Sequence, residues 1–260
     1  MEIEVLVSTM NMENTDLYTD MNLQTNAVVI NQHNNTKREV FEIDGSRVLV
    51  CTYEQRGIGR SRNCALLNSS ADICVFADDD MVFCDGYAEI IKNEFEKNPN
   101  ADGILFNIDV KNADRPVEKI KSDKKMSLRD AMRYGIPAFA VKRDRLLKKN
   151  IWFSLLFGGG AKYGSGEDTI FFKDMIKNKM NIYISTKKIA DTDAGNSSWF
   201  NGFNEKYFTD KGALYAAMFG RKARLSVIIS AYRWCRKLNG EYRFKDVLKY
   251  MYNGIDEFLN

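Results

Sequence analysis

Several short runs of this sequence are apolar almost from end to end, and nothing else in it restricts the fold as strongly. "IEVLVST", "AVVINQ", "RVLVCTY" and "ICVFAD" show little of the alternation expected of a strand with one face in water. Such runs belong in a sheet covered on both faces, most simply a parallel one. Helical patterns separate them. "GRSRNCALLNSS" predicts a helix opening near Gly59. "DGYAEIIKNEFEKNP" predicts another, with Tyr87, Ile90, Ile91 and Phe95 on one face and Asp85 as N-cap. "GILFNIDV" and "PAFAVKR" read as further strands, "EDTIFFKDMIKNKM" as a helix and "NIYIST" as a last strand. The alternation predicts an α/β fold with a mostly parallel central sheet flanked by helices.

Strand patterns stop near residue 204, and three helical segments follow. The expected division is a body over residues 1–203 and a helical extension over residues 204–260. The net charge is +3, but residues 211–250 carry ten Lys or Arg against two acids, a local +8 that leaves −5 for the rest. "GALYAAMFGRKARLSVIISAYRWCRKL" mixes these cations with Leu, Ile, Tyr and Trp234. Two readings are open: a helix lying on an anionic membrane surface, or a packed helix pair with a solvated basic face. Nucleic-acid binding is a weaker reading of the same charge. "LSVIISAYRW" is far shorter than the roughly 20 residues of a bilayer span. The acidic start "MEIEVLVSTM" lacks a signal-peptide pattern, and the five cysteines form no C-x-x-C pair. A reduced, cytoplasmic location is therefore expected, peripheral to the inner face of the cell membrane if the basic segment binds lipid.

"ICVFADDDM" runs a buried strand into Asp78, Asp79 and Asp80. In open parallel sheets ligands bind beyond the carboxyl ends of the strands. Alternate residues of an extended segment point the same way, so Asp78 and Asp80 can converge on one hard divalent cation. A solvated acidic loop is the alternative. In "FGGGAKYGSGEDTIFF" five glycines precede Glu167 and Asp168, which open a helix. Capping accounts for acids there, but a general base behind a flexible glycine-rich lid accounts for the glycines as well. "EQRGIGRSRNCAL" sets Arg56, Arg60 and Arg62 around a glycine turn, which suits a nucleotide phosphate or three surface positions.

Taken in order, these pieces resemble the family 2 glycosyltransferases of the GT-A fold. "SRNCAL…ADICVFADDDM" is similar to the family's RN helix, strand and D-x-D motif, and "GSGEDTIFF" to its E-D element. "VLVSTMN" and "VVINQ" match its first two strands, and "SSWFNGFNEKYFTDKGALY" a stretch of bacterial members that build capsules and O-antigens. The resemblance spans residues 3–220. It implies an inverting transfer of a hexose or N-acetylhexosamine from a nucleotide-diphosphate sugar to a glycan or lipid-linked glycan. By it, Asp80 would coordinate Mn²⁺ or Mg²⁺ at the diphosphate, with Asp78 near the ribose and metal. Thr9, Arg62 and Asp79 would line the nucleotide pocket. Asp168 would take the acceptor proton and Glu167 hold the acceptor.

Two positions depart from the family pattern. The second strand ends in Asn31, Gln32 and His33 where an Asp is common; the Asn31 amide can pair with uracil, so a UDP-sugar is favoured. No late His offers a third metal ligand, and Asp191 or Asp193 of "ADTDAG" stands at that place, Asp193 being preferred. A sugar-phosphate nucleotidyltransferase would also use acidic metal ligands, but "STMNMENTD" lacks its glycine-rich basic signature. A non-catalytic scaffold of the same fold would not need Asp78, Asp80, Glu167 and Asp168 together.

Overall fold

The computed structural model describes residues 1–112, 118–193 and 202–260. Among them ten strands form one sheet: β1 (Ile3–Met10), β2 (Asn26–Gln32), β3 (Lys37–Ile43), β4 (Ser46–Tyr53), β5 (Ile73–Asp78), β6 (Met81–Phe83), β7 (Gly103–Lys111), β8 (Lys124–Lys125), β9 (Phe139–Lys142) and β10 (Ile182–Asp193). Their order is β3-β4-β2-β1-β5-β9-β7-β10-β6, with β8 paired to β10. β4, β2, β1 and β5 are parallel neighbours. β9 runs against both β5 and β7, while β10 is parallel to β7. The expected α/β architecture with a mostly parallel sheet is present.

The helices are α1 (Leu17–Asp20), α2 (Ile58–Asn68), α3 (Tyr87–Lys97), α4 (Leu128–Ala131), α5 (Arg143–Lys148), α6 (Glu167–Lys177), α7 (Glu205–Phe219), α8 (Ala223–Lys237) and α9 (Phe244–Leu259). Strand side chains alternate between two cores. Val5, Val7, Val29 and Val75 pack with Tyr87, Ile91 and Phe95 of α3. Leu6, Val28, Ile30 and Phe76 pack with Ala65 and Leu66 of α2 and with Phe171, Phe172 and Met175 of α6. Burial on both faces is why the strands are apolar throughout.

Three expectations change. The third strand belongs to a hairpin: β3 pairs antiparallel with β4 at the sheet edge, through a turn in which Asp44 and Gly45 both have positive φ. Asp85 does not cap α3. Gly86 occupies the N-cap, and the Asp85 carboxylate accepts bonds from the side-chain amides of Asn22 and Gln24. The last strand runs well past "NIYIST" to Asp193, so Asp191 and Asp193 lie on β10 rather than in a loop. Residues 197–201 of the segment compared above lie outside the described residues.

The three C-terminal helices share a core built on Phe208, Val227, Ala231, Val247, Met251 and Ile255. α7 and α9 meet backbone to backbone. A Cβ on Gly212 would lie 2.0 Å from the Met251 carbonyl oxygen, and one on Gly254 would lie 1.8 Å from that of Thr209. A second apolar cluster ties these helices to the body, joining Phe157, Tyr163 and Ile170 to Leu214 and Met218. The Phe258 ring lies 5.6 Å from Phe157 and 6.0 Å from Tyr163. Among the described residues no helix is long and apolar enough to cross a membrane.

Candidate active site

The parallel strands change character together at their carboxyl ends. In register, Ser8 stands beside Asp78, Thr9 beside Asn31, and Asn31 beside Thr52. Ser8, Thr9, Asn31, Gln32 and Thr52 are all buried, although their strands are otherwise apolar. A polar row at this edge is the surface on which an α/β sheet binds its ligand.

Most of the row is held by specific bonds. The Thr9 hydroxyl donates to Asp79 Oδ2 at 2.5 Å. The Asn31 carboxamide accepts from the Met12 N–H at 3.0 Å and donates to the Met12 carbonyl at 2.9 Å. Both ends of Asn31 thus shape the turn after β1. Gln32 accepts from the Gly57 N–H at 2.7 Å, and Ser8 and Ser61 are linked at 2.8 Å, fixing the start of α2 over β1 and β2.

α2 delivers Arg62 to the centre. Its side chain is only 4 % exposed, so the surface reading of this arginine is overturned. One terminal nitrogen donates to Asp78 at 3.0 Å. The other donates to Asp168 at 2.7 Å and reaches Glu167 at 3.4 Å. Nε is buried without a partner, and the guanidinium lies 5.4 Å over the Phe153 ring. That ring stacks on Phe171 at 3.8 Å, so the cation has an aromatic floor. One buried cation thereby joins the two acidic motifs. Arg56 and Arg60 do not converge with it: they bond to Asn11 and Gln55.

Glu167 and Asp168 open α6 behind Gly166, whose φ of 121° few other residues adopt. Asp168 Oδ2 also accepts from the Ile136 N–H at 3.1 Å, and Glu167 Oε2 from the Gly166 N–H at 3.0 Å. Burial pushes the Glu167 carboxyl up to about 7, and the neighbouring Asp168 adds to this against the pull of Arg62. Asp168 is likewise raised by burial, with the Arg62 guanidinium and the Ile136 N–H opposing. The glycine-rich segment is a packed seam rather than the expected loose lid. A Cβ on Gly158 would lie 2.7 Å from Ile58 and 2.8 Å from the Glu167 carboxyl carbon. The Ile58 N–H donates to the Gly159 carbonyl at 3.0 Å.

The acids after β5 differ. Asp79 and Asp80 are exposed at the rim. Partial loss of solvent, then Asp78, pushes the Asp80 carboxyl upward, while a bond from Thr192 opposes the shift. β10 pairs antiparallel with β6, with Asp191 opposite Val82 and Thr192 opposite Met81. The Asp193 carboxylate accepts from the Asn112 amide at 2.8 Å. Among the described residues no three His, Cys, Asp or Glu side chains are gathered as a ready-made metal site. The donor set still fits a hard divalent cation. Asp78 and Asp80 are oxygen donors whose mutual repulsion such an ion relieves, provided its ligand brings the remaining oxygens.

Residues 24–152 match the model of glycosyl transferase family 2. No curated protein sequence matches the chain. The fold is similar to that of TarS from S. aureus. Its residues 1–349 in complex with UDP-GlcNAc superpose with a TM-score of 0.63 at 16% identity, covering 100% of this chain and 72% of that one. The complex with UDP gives 0.59 at 16% identity, covering 100% and 71%. Another TarS structure gives 0.60 at 14% identity, covering 100% and 54%. The chain is thus similar to glycosyl transferase family 2 from β2 through β9, and it has the GT-A fold along its whole length.

Proposed function

We propose that the protein is an inverting, metal-dependent glycosyltransferase. It moves a hexosyl or N-acetylhexosaminyl group from a nucleotide-diphosphate donor, a UDP-sugar by preference, to a hydroxyl of a glycan or lipid-linked glycan. The observation that carries this reading is the single buried arginine that holds the D-x-D end of β5 and the E-D start of α6 to one centre. The similarity in fold to a protein crystallised with UDP-GlcNAc supports the choice of donor. Assembly of a bacterial surface polysaccharide, of capsule or O-antigen type, is the process in which such a transfer takes place.

In this reading Thr9, Asn31 and Asp79 bound the nucleotide, with Asn31 setting the turn at Met12 against the base. Arg62 orients Asp78 beneath the diphosphate. Asp78, Asp80 and Asp193 would hold Mn²⁺ or Mg²⁺, which when bound supplies positive charge to the departing diphosphate. Asp168 takes the proton of the acceptor hydroxyl while Glu167 hydrogen-bonds the acceptor. The acceptor oxygen forms its bond to the anomeric carbon as the bond to the phosphate oxygen breaks. The electron pair leaves with the nucleoside diphosphate, and the configuration inverts in one displacement. The transition state is oxocarbenium-like, as in glycoside hydrolysis. Burial suits Asp168 to this role, because a base with a raised pKa drives proton abstraction better.

The test is a panel of nucleotide sugars screened by thermal shift with Mn²⁺ and then assayed for transfer. Stabilisation by a UDP-sugar that needs Mn²⁺ and is lost in Asp80→Ala is expected. Full turnover after dialysis against EDTA overturns the metal assignment. Failure of every nucleotide sugar to bind overturns the donor class.

A further inference from the structure

α8 is a helix with two apolar faces, and only one of them is packed. Ala223, Val227, Ser230 and Ala231 are buried against α7 and α9, with Trp234 half-buried among Phe203, Tyr207 and Phe208. At 100° per residue these positions form one stripe. Leu225, Ile228, Ile229 and Tyr232 form a second stripe roughly opposite the first. Their exposures are 72%, 39%, 58% and 56%. Among the described residues no other helix exposes as many large apolar side chains. A helix held by one face needs no apolar residue on the other, so the outer stripe calls for a partner.

The charges around the stripe say what that partner is. Arg221, Lys222, Arg233 and Arg236 are all exposed beside or between the apolar positions, whereas Lys237 lies over the Trp234 ring at 4.9 Å. Residues 211–240 contain no Asp or Glu. Arg224 turns back to pair with Asp256 of α9 and leaves the outer face to the other cations. A second copy of this chain would set Arg233 and Arg236 against their counterparts with no carboxylate on either helix, which like-charge repulsion disfavours. An anionic lipid surface meets both demands. Its headgroups neutralise the flanking cations, and its acyl boundary receives the apolar ridge.

We infer that the outer face of α8 docks the protein on an anionic lipid surface, with Leu225, Ile228, Ile229 and Tyr232 as the embedded ridge and Arg221, Lys222, Arg233 and Arg236 as its charged border. The structure also separates this face from the aromatic seam: Trp234 and Arg224 belong to internal contacts and contribute little to lipid binding. The inference does not depend on the transferred sugar or on the catalytic assignments.

The experiment is sedimentation of the full chain with vesicles of phosphatidylcholine alone and of phosphatidylcholine mixed with phosphatidylglycerol, alongside sedimentation velocity without lipid. The expected result is a monomer that pellets with the anionic vesicles, pellets poorly with the neutral ones, and is released by high salt as screening shortens the reach of charge below about 8 Å. Arg233→Gln with Arg236→Gln should lower partitioning about 30-fold, at roughly fivefold per cation. Leu225→Ser with Ile229→Ser should lower it at least tenfold with the charges intact. Both pairs change exposed side chains, so unchanged circular dichroism and melting are expected, and single Leu225→Ser serves if the double variant melts early. Equal failure to pellet with either vesicle overturns the inference. So does anionic binding that the serine substitutions leave intact, because the ridge then plays no part. A dimer that the serine variants convert to monomer, without vesicle binding, assigns the face to self-association instead.

Discussion

The two acidic motifs share one arginine but live in different solvents. Asp79 and Asp80, after β5, stand exposed at the rim, where partial loss of solvent and then repulsion from Asp78 push the Asp80 carboxyl upward. Glu167 and Asp168, at the start of α6, are only 13% and 21% exposed, and burial is what perturbs both most. A crowded, wet carboxylate cluster is suited to a cation arriving with its ligand. A desolvated pair at a helix start is suited to handling a proton. The two pairs differ in hydration and meet at a single guanidinium.

The largest test of this division is Asp168→Asn, which keeps shape and removes basicity. Turnover should fall about 10²–10⁴-fold while the affinity for donor, measured by calorimetry, stays near wild type. Near-normal turnover in Asp168→Asn together with an inert Glu167→Gln would move the base by one residue. Next comes the shared cation. Arg62→Met leaves Asp78, Glu167 and Asp168 without a counter-charge, and chemical denaturation at neutral pH should show a loss of about 3–5 kcal/mol. A loss below about 1 kcal/mol would mean that the two motifs are not coupled through the arginine.

The pH dependence sharpens the contrast further. Glu167 binds its proton more tightly in the folded chain, where its pKa is about 7, than unfolded near 4.5. Its contribution to stability is therefore complete below about pH 4.5 and is lost as pH rises through 7. Subtracting the melting curve of Glu167→Gln from that of the wild type should reveal a decline between those values. A flat difference would place Glu167 in water with the rim acids. The smallest effect belongs to the rim: Thr9→Val removes the bond to Asp79 and should cost about 0.5–1.5 kcal/mol of stability or less, read from the same denaturation series.

Much of the sheet was legible because its parallel strands are buried on both faces and carry that fact in every residue. β3 was not, since an edge strand written "KREVFEI" interleaves charges with half-buried positions. Its signal was the turn at Asp44–Gly45, a dipeptide that favours a hairpin. The acids of the site were legible as local motifs. The arginine that joins them was not, because its partners lie 16, 105 and 106 residues away and no spacing within α2 distinguishes Arg62 from Arg60. The aromatic floor of Phe153 and Phe171 was hidden in the same way. For Trp234 the sequence left two readings open, and its ring packs inward although it sits in a basic stretch.

The close approach of α7 and α9, Gly212 against Met251 and Gly254 against Thr209, has a consequence in time as well as in space. Because α7 and α9 touch through bare backbone, Phe258 is carried to Phe157 and Tyr163, at the foot of the glycine-rich seam. Residues 157–166 are therefore translated long before the helix that props them. At roughly 5–20 residues per second a nascent chain waits on the order of 5–20 s between the two. Through that interval the sheet can form and the strand carrying Asp78 can seat, but the glycine-rich seam before α6 lacks its final support. A ribosome stalled before α9 would hold a chain with half of its site assembled.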